Sequence, residues 1–367
     1  MLASALTPPM AIDMIARRAF LAGLAAVSLP RMGWADIGSP AFLAAGKTAS
    51  GFVLHGLTGD GESLFSVPLP ARGHAAAGHP HQAIAVAFAR RPGTYGLVID
   101  CASGAILHQL EPPQGRQFNG HGVFSADGAL LMTSEVVSEG SAGRIGLWET
   151  DTYRRVAEWD SGGIGPHDIK RLPGGRIVVA NGGIQTDPAD RTKLNLATMR
   201  PNLTLLSSKG EVLDRAELPT ELRQNSIRHL ALLPGKIAFA MQWEGDAAQP
   251  VPLLGLWAPG KGAVLCPPDD AFAFAMKGYA GSIAATQDGK RIALTSAPGG
   301  VVMLFDEMGH QTACHTRADL SGVAAIGGSF VVTDGSGTTW QVQEEGLALL
   351  SRHTLAWDNH LVGLGPA

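Results

Sequence analysis

The chain has 367 residues, a formal net charge of −4 and only 16% charged residues, with acids and bases interspersed. That balance excludes the basic footprint of a nucleic-acid binder. Gly (47) and Pro (23) are abundant and long periodic helical segments are hard to find, the composition of many short strands joined by tight turns.

In chain order, the first element is a targeting segment. Arg17-Arg18-Ala19-Phe20-Leu21 places a twin-arginine pair before Phe-Leu, and Ala19 to Leu29 carry no charge. Such a run has the length of a signal-peptide apolar region and is too short to cross a bilayer as a helix. Gly33-Trp34-Ala35 offers small residues at both positions a signal peptidase reads. The expectation is a twin-arginine signal over residues 1–35, cleavage after Ala35, and a mature periplasmic domain over residues 36–367. No later run is long and uncharged enough to span a membrane. Cys101, Cys266 and Cys314 are scattered, so one bridge or structural thiols are expected rather than a redox pair. There is no Cys-x-x-Cys-His for covalent haem and no phosphate-binding loop for a nucleotide.

The rest of the chain repeats. Ala83–Ala89 and Tyr95–Asp100 flank Arg-Pro-Gly, Gly122–Ser125 and Ala129–Ser134 flank Ala-Asp-Gly, and Asp168–Leu172 and Arg176–Ala180 flank Pro-Gly-Gly. Three further hairpins follow, at Leu230–Met241, Ser282–Thr295 and Val323–Thr333. Each has Gly at the turn, where a positive φ is cheap. A third and a fourth run often follow, as in Gly143–Glu149 and Arg155–Trp159. Four antiparallel strands make one propeller blade. Aligned at His81, His121, His167, His229, Ser282, Gly322 and His360, the units recur every 38 to 62 residues, a propeller period. The longest step holds an insertion, Gly182–Pro201, rich in Asn, Asp and Thr. The last unit is cut short after His360, and Phe52–Leu57 and Ser63–Leu69 precede the first. The expected fold is all-β, a seven-bladed β-propeller whose last blade is closed by strands from both termini, with Phe52–Leu57 paired to the strand near His360.

The first strand of a blade lines the central channel, and five of seven units start theirs with histidine: His79/His81, His121, His167, His229 and His360. Converging imidazoles suit a transition metal such as Fe, Cu or Zn. His74 lies near the channel entrance. His55, His108, His310, His315 and His353 read as surface residues. Arg116 and Arg228 near the hub suit an anionic ligand, with Glu135 and Asn181 at the ends of second strands, and Asp168 is placed to orient His167. No Gly-x-Ser-x-Gly or His-Glu-x-x-His signature is present. Three functions follow: a metal-binding accessory protein, a metal-dependent hydrolase or oxidoreductase, or an interaction scaffold whose histidines only pin blades together.

His79-Pro80 with Ala85-Val86-Ala87-Phe88-Ala89-Arg90-Arg91-Pro92-Gly93 forms one motif, followed by Gly120-His121-Gly122-Val123-Phe124-Ser125 and Gly163-Ile164-Gly165-Pro166-His167. With Val179-Ala180-Asn181-Gly182-Gly183-Ile184 and Ser226-Ile227-Arg228-His229-Leu230-Ala231, these resemble the DUF1513 family. The resemblance implies a Tat-exported periplasmic propeller, encoded beside imelysin-type iron-uptake proteins and di-haem peroxidase-like proteins. It therefore implies a part in iron or other metal acquisition, and supplies no reaction.

Overall fold

A computed structural model describes residues 32–90 and 93–364, and residues 33 onwards form one compact unit. The twin-arginine pair lies outside the described residues. Seven four-stranded antiparallel sheets follow one another around a ring, and no α-helix occurs among the described residues. The chain is a seven-bladed β-propeller.

Blade 1 comprises Gly73–Gly78, Ile84–Ala89, Gly96–Asp100 and Ile106–Leu110. Blade 2 comprises Arg116–Phe124, Leu130–Val137, Ala142–Glu149 and Arg155–Ile164. Blade 3 is built from Pro166–Arg171, Ile177–Asn181, Asn202–Leu206 and Val212–Glu217, and blade 4 from Asn225–Leu233, Lys236–Trp243, Leu254–Trp257 and Val264–Cys266. Blade 5 has Ser282–Ala285, Arg291–Ser296, Val301–Asp306 and Gln311–Thr316, and blade 6 has Leu320–Ile326, Ser329–Asp334, Thr338–Val342 and Leu347–Arg352. Blade 7 joins the termini: Ala356–Gly363 is its inner strand, followed outward by Phe42–Thr48, Gly51–Leu57 and Ser63–Leu69.

The closure differs in one strand from the sequence expectation. Ala356–Gly363 pairs with Phe42–Thr48, with Leu43 opposite Val362 and Ala44 opposite Leu361. Phe52–Leu57 is one strand further out and pairs with Phe42–Thr48. Phe-Leu-Ala-Ala-Gly-Lys-Thr carries little β-branched signal, yet its first five residues are all buried. Small side chains suit a strand packed on both faces.

The core explains the long apolar runs. Seven hydrophobic clusters form, one between each pair of neighbouring blades. Phe88, Val98 and Phe118 join blades 1 and 2, and Val178, Phe239 and Trp257 join blades 3 and 4. A middle strand therefore buries both faces, and Ile84–Ala89 is buried at every position. Burying a side chain of this size contributes roughly 1.5–3 kcal/mol. Because apolar contacts are spent between blades, the inner strands keep their exposed edges for the channel.

Trp34, which the sequence expectation places before the cleavage point, donates its indole N–H to the His79 carbonyl at 2.7 Å. It also packs against the core between blades 7 and 1. All three cysteines are free thiols, so the single-bridge alternative is not formed.

Candidate metal centre

Five histidines meet in the channel, one from the inner strand of each of five blades: His74, His121, His167, His229 and His360. Neighbouring ring centroids lie 4.4 to 5.1 Å apart for the pairs 74–360, 167–229, 121–167, 229–360, 121–360 and 74–121.

A backbone irregularity places each ring. Opposite His74 the register jumps between Gly73 and Ala76. It jumps around His121 between Phe118 and Gly122, and around His167 between Pro166 and Ile169. In blade 4 the jump falls between Ile227 and His229, and in blade 7 it lies across from Asp358 to His360. These are β-bulges, which break the pleat and re-aim a side chain. Gly120 makes one of them possible. Its φ is +94°, and a Cβ there would lie 2.4 Å from the His74 ring.

The rings face one another rather than the neighbouring blades. His360 Nε2 and His74 Nε2 are 3.3 Å apart. Two nitrogens held 2.0–2.1 Å from one tetrahedral ion would be separated by about 3.3–3.4 Å. His74 Nδ1, His121 Nε2 and His167 Nδ1 are buried without a hydrogen-bond partner, an arrangement native interiors avoid unless something else occupies the lone pair or proton. Two triads, His74/His121/His167 and His121/His229/His360, each bring their ligand atoms within 4.8 Å of one another. Both use His121, whose Nδ1 sits 3.4 Å from Asp168 Oδ1. That leaves Nε2, with one lone pair, as its ligand atom, so the triads are alternatives for one ion.

Burial sets the protonation state. Desolvation first, then the neighbouring imidazoles, hold His74, His167 and His360 well below the ordinary histidine range. His229 is lowered to about 3 by burial and by His121. These are neutral rings at neutral pH, the form a metal requires, and a bound ion would replace the hydrogen bond between His74 and His360. Burial alone would raise the Asp168 carboxyl, but Lys170, 3.2 Å away, and His121 outweigh it and hold it below the carboxylate range. Asp168 also accepts the Leu230 N–H at 3.0 Å.

The histidines divide the channel. On one side lies a wide chamber of about 530 Å³, whose walls include Ala231, Ile283, Ala284 and Val323 and which His121, Asp168 and Lys170 also line. On the other lies a polar chamber of about 260 Å³, reached by His74, His167 and Arg228. His229 and His360 line both.

The structure sorts the sequence-derived site residues. His121, His167, His229 and His360 come together. His79 and His81 do not: they lie in the turn after the first strand of blade 1. His79 Nδ1 accepts the His81 and Gln82 N–H groups, and His81 Nε2 contacts the Ala126 carbonyl. The inner strand of blade 1 is Gly-His-Ala-Ala-Ala-Gly, and its weak strand signal hid His74 behind the stronger run Ala83–Ala89, which is the second strand. Asp168 partners His121, not the adjacent His167.

Arg228 lines the polar chamber, but Arg116, Glu135 and Asn181 line neither chamber. Arg116 pairs with Glu158 at 2.9 Å, and Arg155 links Glu158 to the buried Glu135, all within blade 2. Asn181 bonds Ser161 and Asn202. The insertion after the second strand of blade 3 supplies residues that no motif announced, Arg191 and Lys193, both on the polar chamber. Among the remaining histidines, His55 and His353 pack on Trp357, His108 lies against Tyr153, and His310 pairs with Asp306 on the surface.

Fold and site together define a seven-bladed propeller with a histidine cluster closing its channel. The chain belongs to the family described as "Protein of unknown function (DUF1513)", whose profile matches residues 67–364. A search of curated proteins gave no match. Among solved structures it is similar to the hydrazine synthase of Kuenenia stuttgartiensis, at TM-score 0.58 and 12% identity over 89% of this chain and 98% of that one. It is also similar to the RRP9 WD40 repeats, at TM-score 0.56 and 14% identity over 76% and 80%. At such identities the likeness is one of fold. No helix among the described residues is long and apolar enough to cross a membrane.

Proposed function

We propose that the protein is a periplasmic metal-handling accessory protein, exported by the twin-arginine route. It holds one transition-metal ion on the channel histidines and passes it to an iron-uptake partner of the imelysin type. The observation that carries this reading is the convergence of five imidazoles from five blades, three of whose buried ring nitrogens have no hydrogen-bond partner.

The donor set narrows the metal. Imidazole suits Cu, Zn and ferrous Fe, whereas hard cations prefer carboxylate oxygen. The cluster has no thiolate, because Cys101, Cys266 and Cys314 belong to blades 1, 4 and 5 away from the channel lining. The ion therefore enters as a divalent or cuprous species rather than as bare ferric iron. Asp168 against His121 is the carboxylate–histidine pair that fixes ring orientation and raises ligand basicity at metal sites.

Two observations favour holding over catalysis. A metal-dependent hydrolase needs a free acid or base beside an open ligand position. Asp168 is engaged by His121, Lys170 and Leu230, and Glu244 by Lys193. Two histidine contacts do cross between blades, His121 to Asp168 and His74 to His360, but His74 Nδ1, His121 Nε2 and His167 Nδ1 have no hydrogen-bond partner, which a pure scaffold role leaves unexplained.

Elemental analysis of untagged protein, followed by calorimetric titration with Cu, Zn and Fe(II), tests the reading. One equivalent per chain, lost in His121→Ala, is the expected result. Protein that takes up no ion at the channel leaves the scaffold function in its place.

A further inference from the structure

The polar chamber carries an excess of positive charge that its own residues do not balance. Arg90, Arg191, Lys193 and Arg228 face it, against the single carboxylate of Glu244. Lys193 takes Glu244 directly, and Arg228 Nη2 stays 4.0 Å from it. Arg90 reaches Asp358 only at 3.9 Å, since Arg72 holds that carboxylate more closely. Arg191 makes no ion pair among the described residues.

Arg228 is the most telling of the four. It is 6% exposed, and its Nε has no hydrogen-bond acceptor. A buried guanidinium with an unmet donor is costly, and Arg offers a planar fork matched to a carboxylate or phosphate. Asn119 Oδ1, on the same chamber, is likewise buried without a partner and could accept from a ligand hydroxyl. Tyr279 and Asn359 add further hydroxyl and amide groups. The chamber also opens directly on His74, His167, His229 and His360.

We infer that the polar chamber binds a small organic polycarboxylate, one carboxylate on Arg228 with Arg191, and a second directed at the histidine cluster as a ligand to its ion. The first half of that statement stands without the metal, and the second half rests on the metal reading above. Size supports a small ligand. At about 260 Å³ the chamber falls just short of the roughly 300–1,000 Å³ of drug-sized pockets, so a large siderophore or a porphyrin does not fit inside it. Charge supports more than one carboxylate, because a monoanion leaves most of the cationic excess unpaired. The arrangement suits a hydroxy acid that travels as a metal chelate and surrenders the ion to the imidazoles.

Calorimetry with citrate, malate and inorganic phosphate tests the inference. The protein is first stripped with phenanthroline, because aminocarboxylate chelators are themselves polycarboxylates. Citrate or malate should bind the metal-free protein, weaken as salt rises, and lose at least tenfold in affinity in Arg228→Gln and in the exposed-loop variant Arg191→Gln. The loop variant keeps the test valid where the buried substitution fails to fold. His121→Ala should bind the carboxylate and not the metal, which separates the two readings. Absence of carboxylate binding, unchanged affinity in Arg191→Gln, or phosphate binding more tightly than either acid overturns the assignment. In the ion-loaded protein, citrate should shift the Cu(II) absorption spectrum. An unchanged spectrum removes the second contact.

Discussion

Blades 3 and 5 are the same four-stranded meander, yet their inner strands treat the channel differently. In blade 5, Ser282 to Ala285 pair residue for residue with Thr295 to Ile292. In blade 3, Pro166 pairs with Asn181 and Ile169 with Val179, so His167 and Asp168 together oppose one residue. The regular strand contributes Ser282, whose hydroxyl is used by the Val323 N–H of the next blade at 3.4 Å. The bulged strand turns an imidazole into the channel and a carboxylate toward its neighbour. Blade 6 shows that a bulge is not sufficient. Its irregularity carries Ser321-Gly322, where a Cβ on Gly322 would meet the Leu361 N at 2.8 Å. There the bulge accommodates a close approach of blade 7. Chemistry at the hub thus needs both the backbone break and a ligand residue within it.

Acid should separate the two kinds of blade most strongly. His74, His167, His229 and His360 have folded-state values below the unfolded value near 6.5. Below pH 6.5 the unfolded chain binds protons the folded chain refuses. Stability is therefore complete above that pH and falls as pH drops, for His229 down toward about 3. Each such group removes up to about 1.4 kcal/mol per pH unit. Urea unfolding at pH 7.5 and pH 5 should differ by several kcal/mol, and His167→Gln should flatten the difference. A pH-independent midpoint would show that the rings are not held neutral by the fold.

Next in size is the loss of a ligand. His121→Ala should abolish metal-dependent stabilisation, because both triads use that ring, whereas Ser282→Ala should retain full metal binding. Thermal melts across a Zn or Cu titration read both, since an ion bound only by the folded state raises the melting temperature with concentration. Equal responses in the two variants would place the ion outside the histidine ring.

Asp168→Asn should lower metal affinity by roughly 10–100-fold, the usual effect of removing a carboxylate behind a ligating histidine. Competition titration measures it, and unchanged affinity would make Asp168 a staple to Leu230 alone. The smallest effect is expected at Gly120. Ala there must adopt a φ of +94° and displace the His74 ring. It should destabilise the protein by more than the ~1 kcal/mol that Gly-to-Ala contributes to stability at a compatible backbone, and X-ray absorption should show one imidazole fewer in the ion's coordination.

Much of this was legible before any coordinates. Turn glycines at a 40–60-residue period specify blades, because a hairpin needs its positive φ wherever it sits. The convergence of His121, His167, His229 and His360 followed from their equivalent place in the repeat. Other features carried no local signal. His74 sits in an alanine-rich strand that gains stability only from burial on both faces. Arg116, Glu135 and Asn181 occupy repeat positions close to the hub, but their partners within blades 2 and 3 draw them away from it. Arg191 and Lys193 lie in an insertion whose path no periodicity encodes.

The amino-acid sequence by itself determined the blade count, the joining of both termini in one blade, and four of the five channel histidines, since these depend on period and on residue type at a repeated place. The tertiary structure alone decided which strand meets Ala356–Gly363, which carboxylate holds which imidazole, and that a cationic chamber lies against the cluster. Those depend on one-residue bulges and on side chains from blades far apart in the chain, and a single extra residue in a strand moves every following side chain to the other face.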